Sequence, residues 1–401
     1  MRNTWNFFSP GQILFGSGAA AQLGDLIARK SWKRVFLVTD RHLVAAGIAG
    51  KIGRWLAEAM RDVEVFDGGQ AEPSVDLAVQ AAERAAAYRP DCIVGLGGGS
   101  NMDLAKIVAV LVTHGGRPER YFSFNNVPGP VLPLVCVPTT AGTGSEVSHA
   151  AVLTDTANQI KVSTLSQFLR PAIAVVDPEL TLTCPPKVTA DSGIDALTHA
   201  IEAYTAVDYA QLDAKDGNPV AYEGRTPLGA ALAEKAIELV GQHLVAAVKD
   251  GTNRPAREGM ALAATLAGLA FSHCAVALVH ALEYPLGGAL HCSHGAGNGL
   301  LLPYVMQFNL KSRQEEFGRI ARLLGADTSG LSADAAAEAA VNAVEKLRAA
   351  IGIPQRIRDI GGRREQLPVF AAKAFAIKRL LAVNPRQASE ADLLRILEEA
   401  F

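Results

Sequence analysis

The chain has 401 residues, which exceeds the size of one ordinary hydrophobic core, so we expect two domains. Hydrophobic residues make up 49% and charged residues 19% of the sequence, a globular composition that excludes a disordered protein. The net charge of −2 excludes the basic surface typical of nucleic-acid or anionic-membrane binding. No run of about 18 apolar residues is present to span a bilayer. We therefore expect a cytoplasmic protein that binds neither nucleic acid nor membrane.

Short β-branched runs alternate with helical patterns through the first 180 residues. Strands are predicted at residues 34–39, 63–66, 92–95, 134–138 and 173–177, with helices near 45–59, 75–88 and 100–113. Strands that alternate with helices are typical of a mostly parallel sheet that is covered by helices on both faces. The N-terminal part is therefore predicted to be an α/β domain.

The rhythm changes after Cys184-Pro185-Pro186, where strand signals end. Helices are predicted near residues 187–206, 227–249, 255–283, 296–309, 314–324, 332–351 and 387–399. These patterns predict two domains, an α/β domain over residues 1–185 and an all-α domain over residues 186–401.

Three consecutive glycines follow the strand at 92–95, in Gly97-Gly98-Gly99-Ser100. Glycine lets the backbone approach a pyrophosphate closely, and the following helix N-terminus offers free N–H groups and a partial positive charge. The loop is therefore predicted to bind a nucleotide, with Ser100 capping the helix and contacting phosphate. The alternative is a strand-to-helix turn with an N-cap and no ligand. The usual GxGxxG pattern with a downstream acid is absent.

Other polar groups follow the predicted strands. Asp40 ends the strand at 34–39, where a carboxylate can accept both ribose hydroxyls and repel a 2′-phosphate, favouring NAD over NADP. Its alternative role is an N-cap. The loop at 138–148 carries five hydroxyls and two glycines at the sheet edge where α/β proteins bind ligands. Lys161 is predicted either to reach the same site or to be a solvated lysine.

A metal site is suggested in the second half. Asp195 and His199 are spaced i, i+4 on a predicted helix, so they share a face, and their neighbours are apolar. Such a pair is either structural or metal-binding. His280 and His294 are fourteen residues apart, and we expect the chain to turn at Pro285, Gly287 and Gly288 so that both reach one point. One carboxylate and three imidazoles suit Fe²⁺ or Zn²⁺.

These motifs resemble the iron-containing (group III) alcohol dehydrogenases, in the superfamily that includes dehydroquinate synthase. The resemblance extends over nearly the whole chain. It is carried by Phe8-Ser9-Pro10-Gly11-Gln12-Ile13-Leu14-Phe15-Gly16, the loop 97–100 with Asp103 and Lys106, Pro138-Thr139-Thr140 through Glu146, Asp195-Ala196-Leu197-Thr198-His199-Ala200-Ile201-Glu202-Ala203-Tyr204, and His294-Gly295 through Leu302-Pro303.

The resemblance implies a metal-dependent, NAD-linked alcohol dehydrogenase with its active site in a cleft between the two domains. It implies metal ligation by Asp195, His199, His280 and His294, and it decides for His280 over His273. The cofactor contacts that it implies are Asp40, Gly97, Gly98, Gly99, Ser100, Asp103, Thr139, Thr140, Thr143, Ser148 and Lys161. The family often forms dimers or larger homo-oligomers, and segment 4–15 is expected to contribute an interface strand.

Two departures from the family pattern concern the proton path and the substrate. Tyr284 stands four residues after His280, where many members carry a second histidine credited with proton relay. Tyr284, His291 or water is therefore expected to pass the proton. Ala71-Glu72-Pro73 replaces a common Pro-Asn-Pro. Both changes resemble the hydroxyacid-oxoacid transhydrogenases, which gives an alternative activity. A dehydroquinate synthase-like lyase is the other alternative, but the helical half shows no Lys/Arg cluster beside the metal motifs.

Overall fold

The structure is a computed structural model that describes residues 2–59, 61–156, 160–212 and 220–401. The chain divides into two compact units. One unit is Phe8–Cys184, and the other is Pro185–Phe401 together with the N-terminal segment that ends at Phe7.

The unit Phe8–Cys184 is built around a parallel sheet. Its elements are β1 (Gln12–Phe15), α1 (Leu23–Arg29), β2 (Arg34–Val38), α2 (Arg41–Ala45), α3 (Ile48–Glu58), β3 (Asp62–Phe66), α4 (Val75–Tyr88), β4 (Cys92–Gly97), α5 (Gly99–His114), β5 (Ser123–Phe124), β6 (Leu134–Pro138), β7 (Ala150–Asp155), β8 (Ile160–Leu165) and β9 (Ile173–Val176). Within the described residues, six strands pair in the order β1-β9-β6-β4-β2-β3, all parallel. The predicted α/β fold class is confirmed.

Alternate side chains of each strand point to opposite faces of the sheet, and helices bury both faces. On β2, Phe36 and Val38 join a hydrophobic cluster that includes residues of α4 and α5. Val35 and Leu37 join a second cluster with residues of α1 and α3. The sheet is therefore the middle layer of a three-layer unit, and the carboxyl ends of its strands share one edge.

Two further features of this unit concern an edge strand and a second sheet. Within segment 4–15, which was predicted to contribute an interface strand, residues Gln12 to Phe15 form β1 at the edge of the sheet and pair with Ile173 to Val176 of β9. A small second sheet, in the order β5-β8-β7, was not predicted. Its antiparallel pair, β7 and β8, runs in register from Ala150↔Leu165 to Asp155↔Ile160.

The second unit is helical. Its helices are α6 (Pro186–Thr205), α7 (Pro227–Lys249), α8 (Arg254–Phe271), α9 (Leu278–Leu290), α10 (His294–Asn309), α11 (Gln314–Leu323), α12 (Ala333–Ala350), α13 (Leu367–Phe375), α14 (Lys378–Leu381) and α15 (Glu390–Glu399). The single helix predicted over 255–283 is wrong, because the chain breaks between α8 and α9. Among the described residues, no helix combines the length and the apolarity needed to cross a membrane.

Candidate metal centre and cofactor loops

Helix α6 places three ionisable side chains in a buried setting. Asp195, His199 and Glu202 are 2%, 5% and 4% exposed. The helix begins with Pro186, whose missing N–H is tolerated in the first helical turn. The spacing from 195 to 199 to 202 keeps all three side chains on one face. A buried cluster of this kind requires partners for its charges, and these come from other helices.

His280 on α9 and His294 on α10 meet Asp195. Ligand atoms of these three residues all lie within 4.8 Å of one another. The fourth expected ligand, His199, stands beside them, with its Nδ1 3.9 Å from Asp195 Oδ2. The His199 ring stacks on His280 with 4.8 Å between centroids and on Phe271 with 4.3 Å. The structure thus brings the four expected ligands into one cluster, of which three converge most closely.

A hydrogen-bond partner fixes each of the three converging residues. Glu202 Oε2 lies 2.6 Å from His280 Nδ1, and Glu283 Oε2 lies 2.5 Å from His294 Nδ1. These carboxylates accept the Nδ1 protons, so the Nε2 lone pairs are left to face the cluster. Neither glutamate was predicted from the sequence to belong to the site. Their helical spacing from ligands, three residues after His199 and three after His280, was the available signal.

Asn298 supports the carboxylate of Asp195. It lies one helical turn after His294, and its Nδ2 donates to Asp195 Oδ1 at 2.7 Å. The same Nδ2 lies 3.2 Å from Nε2 of His280 and 3.2 Å from Nε2 of His294. Asp195 Oδ1, His280 Nε2 and His294 Nε2 therefore converge around the Asn298 amide nitrogen. Asn298 was likewise not predicted from the sequence to belong to the site.

The protonation of the cluster favours cation binding. Burial raises the pKa of Asp195, but the nearby His199, His294 and His280 and the hydrogen bond from Asn298 outweigh it and leave the pKa below its usual value. Burial lowers the pKa of His199 to about 4, although Asp195 opposes the shift. At neutral pH the site thus holds an ionised carboxylate and, at His199, a neutral imidazole.

The donor set fits a divalent transition metal. Among the described residues, His199 Nδ1 is buried without a hydrogen-bond partner, which costs free energy unless a bound ligand satisfies it. Imidazole and carboxylate donors, with the imidazoles of His280 and His294 anchored through Nδ1 to carboxylates, are an arrangement that Fe²⁺ and Zn²⁺ use in proteins. The residues present can therefore hold either metal.

The turn that joins the two histidine-bearing helices lies elsewhere than expected. We predicted that Pro285, Gly287 and Gly288 would break the helix, but α9 continues through all three to Leu290. A helix can include proline at the cost of one hydrogen bond and some strain. The reversal occurs after Leu290, where His291 adopts a left-handed conformation with φ of 52°. Helix α10 then begins at His294.

The two expected relay residues occupy different settings. The Tyr284 ring lies 6.4 Å from the His280 ring and 6.1 Å from the His294 ring, measured between centroids. Burial raises the pKa of Tyr284 to about 12, so the phenol keeps its proton at neutral pH. His291 caps the C-terminus of α9 and is exposed. The structure therefore places Tyr284 beside the cluster of Asp195, His280 and His294.

In the α/β unit, the glycine loop lies at the carboxyl end of β4. Gly98 is the N-cap of α5 and makes no side-chain capping bond. The expectation that Ser100 caps this helix is wrong, because Ser100 lies inside it and its Oγ accepts a hydrogen bond from the Glu72 N–H at 3.3 Å. Neither Gly98 nor Ser100 therefore caps the first N–H groups of α5, which leaves them available to a phosphate as far as the described residues show.

The hydroxyl-rich loop adjoins the glycine loop because β4 and β6 are neighbours in the sheet. The Thr139 N–H donates to the Gly97 carbonyl at 3.0 Å. Gly99 packs against Thr143, where a Cβ on the glycine would lie 2.8 Å from Cγ2. Thr140 follows Thr139 in the same loop, and its Oγ1 lies 3.5 Å from the position of a Cβ on Gly98. The expected phosphate-binding residues therefore form one surface.

Asp40 fills the capping role that we considered as its alternative. Its Oδ1 accepts from the N–H groups of His42 and Leu43 at 2.8 and 3.0 Å, which caps α2. Its Oδ2 accepts from Asn101 Nδ2 at 2.6 Å. These bonds tie the end of β2 to the start of α5, so Asp40 has a defined orientation beside the glycine loop.

A buried lysine links α5 to the hydroxyl-rich loop. Lys106 is fully buried and donates to Ser145 Oγ at 2.9 Å, to Ser148 O and Oγ at 3.2 Å, and to Ala150 O at 2.7 Å. Asp103 accepts from Ser145 Oγ at 2.6 Å and from the Val152 N–H at 2.9 Å. Of the expected cofactor residues, Asp103 and Ser148 thus belong to the support of the loop.

Lys161 of β8 is not the solvated lysine of our alternative interpretation. Its side chain is 7% exposed, and its Nζ lies 2.7 Å from Glu72 Oε1. The Glu72 N–H in turn donates to Ser100 Oγ. Lys161 is therefore connected to the glycine loop through Glu72.

Comparison with known proteins identifies the family. The profile of iron-containing alcohol dehydrogenase matches residues 10–178. The profile of the C-terminal part of the Fe-containing alcohol dehydrogenase family matches residues 220–401. The chain belongs to the iron-containing alcohol dehydrogenase family. The family resemblance expected from the sequence motifs is thereby confirmed.

Individual relatives are similar along the full chain. The NAD-dependent methanol dehydrogenase of Bacillus methanolicus is 36% identical over 396 residues, which cover 99% of this chain and 100% of that protein. The crystal structure of a 1,3-propanediol oxidoreductase has a TM-score of 0.92 at 36% identity, with 100% of both chains covered. Sulfoacetaldehyde reductase from Bifidobacterium kashiwanohense, in complex with NAD⁺, has a TM-score of 0.85 at 28% identity, with 100% and 99% covered.

Membership of the iron-containing alcohol dehydrogenase family makes the protein an oxidoreductase that acts on alcohols, as the sequence motifs predicted. The relatives differ in the alcohol or aldehyde that their names specify. Substrate identity is therefore a property of individual members.

Proposed function

We propose that this member of the family is a metal-dependent, NAD-linked dehydrogenase that interconverts a small alcohol and its aldehyde or ketone. The observation that carries the proposal is the convergence of Asp195, His280 and His294 within 4.8 Å, with each donor supported by a buried partner. NAD dependence is supported by the methanol dehydrogenase relative and by the sulfoacetaldehyde reductase complex with NAD⁺.

We assign the metal to Asp195, His199, His280 and His294, with Fe²⁺ favoured by the family and Zn²⁺ compatible with the donors. A bound metal would supply Lewis acidity toward the alcohol oxygen, and bound NAD would supply the hydride acceptor. Asp195 contributes the negative charge of the site. The imidazoles contribute nitrogen donors, and that of His199 is neutral at neutral pH because burial lowers its pKa to about 4.

We assign the cofactor to the α/β unit. The uncapped N-terminus of α5, with Gly97, Gly98, Gly99 and Ser100, offers N–H groups for the pyrophosphate. Supporting hydroxyl donors come from Thr139, Thr140 and Thr143. The Asp40 carboxylate favours a ribose diol over a 2′-phosphate, which supports NAD over NADP. Asp103 and Ser148 contribute to cofactor binding indirectly, because they hold the hydroxyl-rich loop in place. Lys161 contributes indirectly through its contact with Glu72.

We propose Tyr284 as the group that passes the alcohol proton. A phenol with a pKa of about 12 stays protonated at neutral pH, so its oxygen accepts a proton as it hands its own proton on. The ring position beside His280 and His294 supports this role. His291, in the exposed turn after α9, is the second assigned relay.

The decisive experiment combines substrates and metals. Short alcohols, diols and hydroxy acids are supplied with NAD or NADP to enzyme reloaded with Fe²⁺ or Zn²⁺, and NADH formation is followed. We expect net NADH with at least one alcohol. His280→Ala is expected to lose bound metal and activity together, whereas His114→Ala on α5 keeps both. Turnover retained by His280→Ala refutes the ligand assignment, and hydride exchange between a hydroxy acid and an oxoacid without net NADH indicates a transhydrogenase.

We also propose a homodimer and a cytoplasmic location. Strand β1 is the edge of its sheet, and Ile13 on it is 36% exposed, so a second copy can pair with this edge. Light scattering coupled to size exclusion measures the mass in solution, and a monomer at micromolar concentration refutes the dimer. Fractionation of the producing cells tests the location.

A further inference from the structure

The three closely converging ligand residues are not held equally by packing. The side chains of Asp195 and His280 are 3% and 2% exposed, whereas that of His294 is 32% exposed. His294 is also the first residue of α10 and follows the turn that begins at His291. Because solvent covers part of this ring, packing alone does not select one rotamer for it. A second constraint is needed to keep Nε2 directed at the other donors.

Glu283 provides that constraint. Its side chain is fully buried, and its Oε2 lies 2.5 Å from His294 Nδ1. A buried carboxylate requires a hydrogen-bond donor, and the Nδ1 proton satisfies it. The bond places the lone pair on Nε2, on the side where Asp195 and His280 lie. Glu283 also adds negative charge behind the ring, which strengthens the imidazole as a metal ligand.

The backbone of α10 leaves room for this carboxylate. A Cβ on Gly297 would lie 2.9 Å from Glu283 Cγ. Carbon atoms in contact are normally about 3.5–4.0 Å apart, so a side chain at 297 would push Glu283 away. The glycine and the glutamate therefore form a matched pair across α9 and α10.

Glu202 has a different function although it makes the same kind of bond. Besides His280 Nδ1, it accepts the N–H groups of Ala277 and Val279, at 2.8 and 2.6 Å. Its loss would free the N-terminus of α9 as well as the histidine. Glu283 lies in the middle of α9 and not at its N-terminus, so its loss acts on His294 without freeing the start of the helix.

We propose that Glu283 is a positioning residue of the metal centre, which acts through His294 and makes this partly exposed histidine a competent ligand. This inference rests on the proposed function, because it assigns the His294 Nε2 to a metal. Loss of a carboxylate that orients a ligating histidine typically lowers metal affinity about 10- to 100-fold.

The test compares graded variants. Glu283→Gln keeps the size and an acceptor oxygen but removes the charge, Glu283→Ala removes both, and Gly297→Ala displaces the native carboxylate. Dissociation constants for Fe²⁺ and Zn²⁺ come from chelator competition, and the visible spectrum of the Co²⁺ form reports the coordination geometry. We expect about 10- to 100-fold weaker binding and an altered Co²⁺ spectrum for Glu283→Ala. Glu283→Gln and Gly297→Ala are expected to lose less metal affinity. The control Glu398→Gln, at an exposed position, is expected to keep wild-type affinity.

Circular dichroism without metal checks that each variant is folded. Folded Glu283→Ala that binds both metals within twofold of wild type, with an unchanged Co²⁺ spectrum, overturns the proposal. If Glu283→Ala does not fold, the other two variants decide. Wild-type metal affinity and Co²⁺ spectrum in both Glu283→Gln and Gly297→Ala then overturn the proposal. A wild-type protein that binds neither metal and oxidises no alcohol refutes the proposed function instead.

Discussion

Gly295 is a position where one added carbon should damage the proposed metal centre. It follows His294 at the start of α10, where that helix lies against α6. A Cβ on Gly295 would lie 2.7 Å from the carbonyl carbon of Asp191 and 3.1 Å from Cβ of Asp195, and it would also clash with the Asp191 carbonyl oxygen. The neighbours on α6 are backbone atoms or lie close to the backbone, so they cannot rotate away.

The magnitude of the effect follows from these distances. Carbon contacts of about 3.5–4.0 Å are normal, so Gly295→Ala forces α10 and α6 apart by about 1 Å. Overpacking of this kind destabilises by about 1–3 kcal/mol, which lowers Tm by roughly 2–12 °C in a unit of this size. The displacement separates His294 from Asp195. Because a 1 Å misplacement can lower the rate about 100-fold, we expect kcat/KM to fall about 10- to 100-fold.

The assay measures bound metal, Tm and kcat/KM on the reloaded enzyme. Gly53→Ala is the matched control, since Gly53 lies inside α3 and a Cβ there would meet no atom within 4 Å. Alanine at that position should raise stability by about 0.5–1 kcal/mol and leave activity unchanged. Wild-type metal content together with kcat/KM within twofold of wild type in Gly295→Ala would refute the reasoning.

Two further predictions concern buried ionisable groups. Burial lowers the pKa of His199 to about 4 in the folded protein, whereas the pKa is about 6.5 in the unfolded chain. Between these pH values the unfolded chain binds a proton that the folded protein does not. The free energy of unfolding of the metal-free protein should therefore fall by about 3 kcal/mol as the pH is lowered from 6.5 through 4. Urea unfolding at several pH values measures this loss, and an equal slope in His199→Gln would contradict it. Lys106→Met should leave its acceptors unpaired and destabilise by about 3–5 kcal/mol, with weaker NAD binding in calorimetry. The exposed Lys51→Met is the control, and equal effects of both substitutions would disprove the role of the buried ammonium.

Much of the α/β unit could be predicted because its signals are local. The strand at 134–138 and the helix at 75–88 were predicted with the bounds that the structure shows. Buried parallel strands are continuous apolar runs, and Ser74 caps its helix through its own side chain. The pair β7 and β8 was missed because its stability comes from mutual pairing and from contacts with α5, which no local pattern reveals.

The helical unit was harder to predict near the candidate site. The break between α8 and α9 was missed because the N-terminus of α9 is capped by Glu202, which belongs to another helix. Asp195 and His199 could be found from their spacing on one helix. The support by Glu283 and Asn298 could not be assigned, because helical spacing shows that side chains share a face but not which atoms they meet.

The contacts of Lys106 have a consequence for how the α/β unit assembles. A solvated ammonium loses its water when it enters the interior, so the step is unfavourable until all of its acceptors are in place. Ser145, Ser148 and Ala150 reach their positions only when their segment has closed on α5. A half-docked segment would leave the charge buried and unsatisfied. The glycine loop and the hydroxyl-rich loop should therefore form in one cooperative folding event.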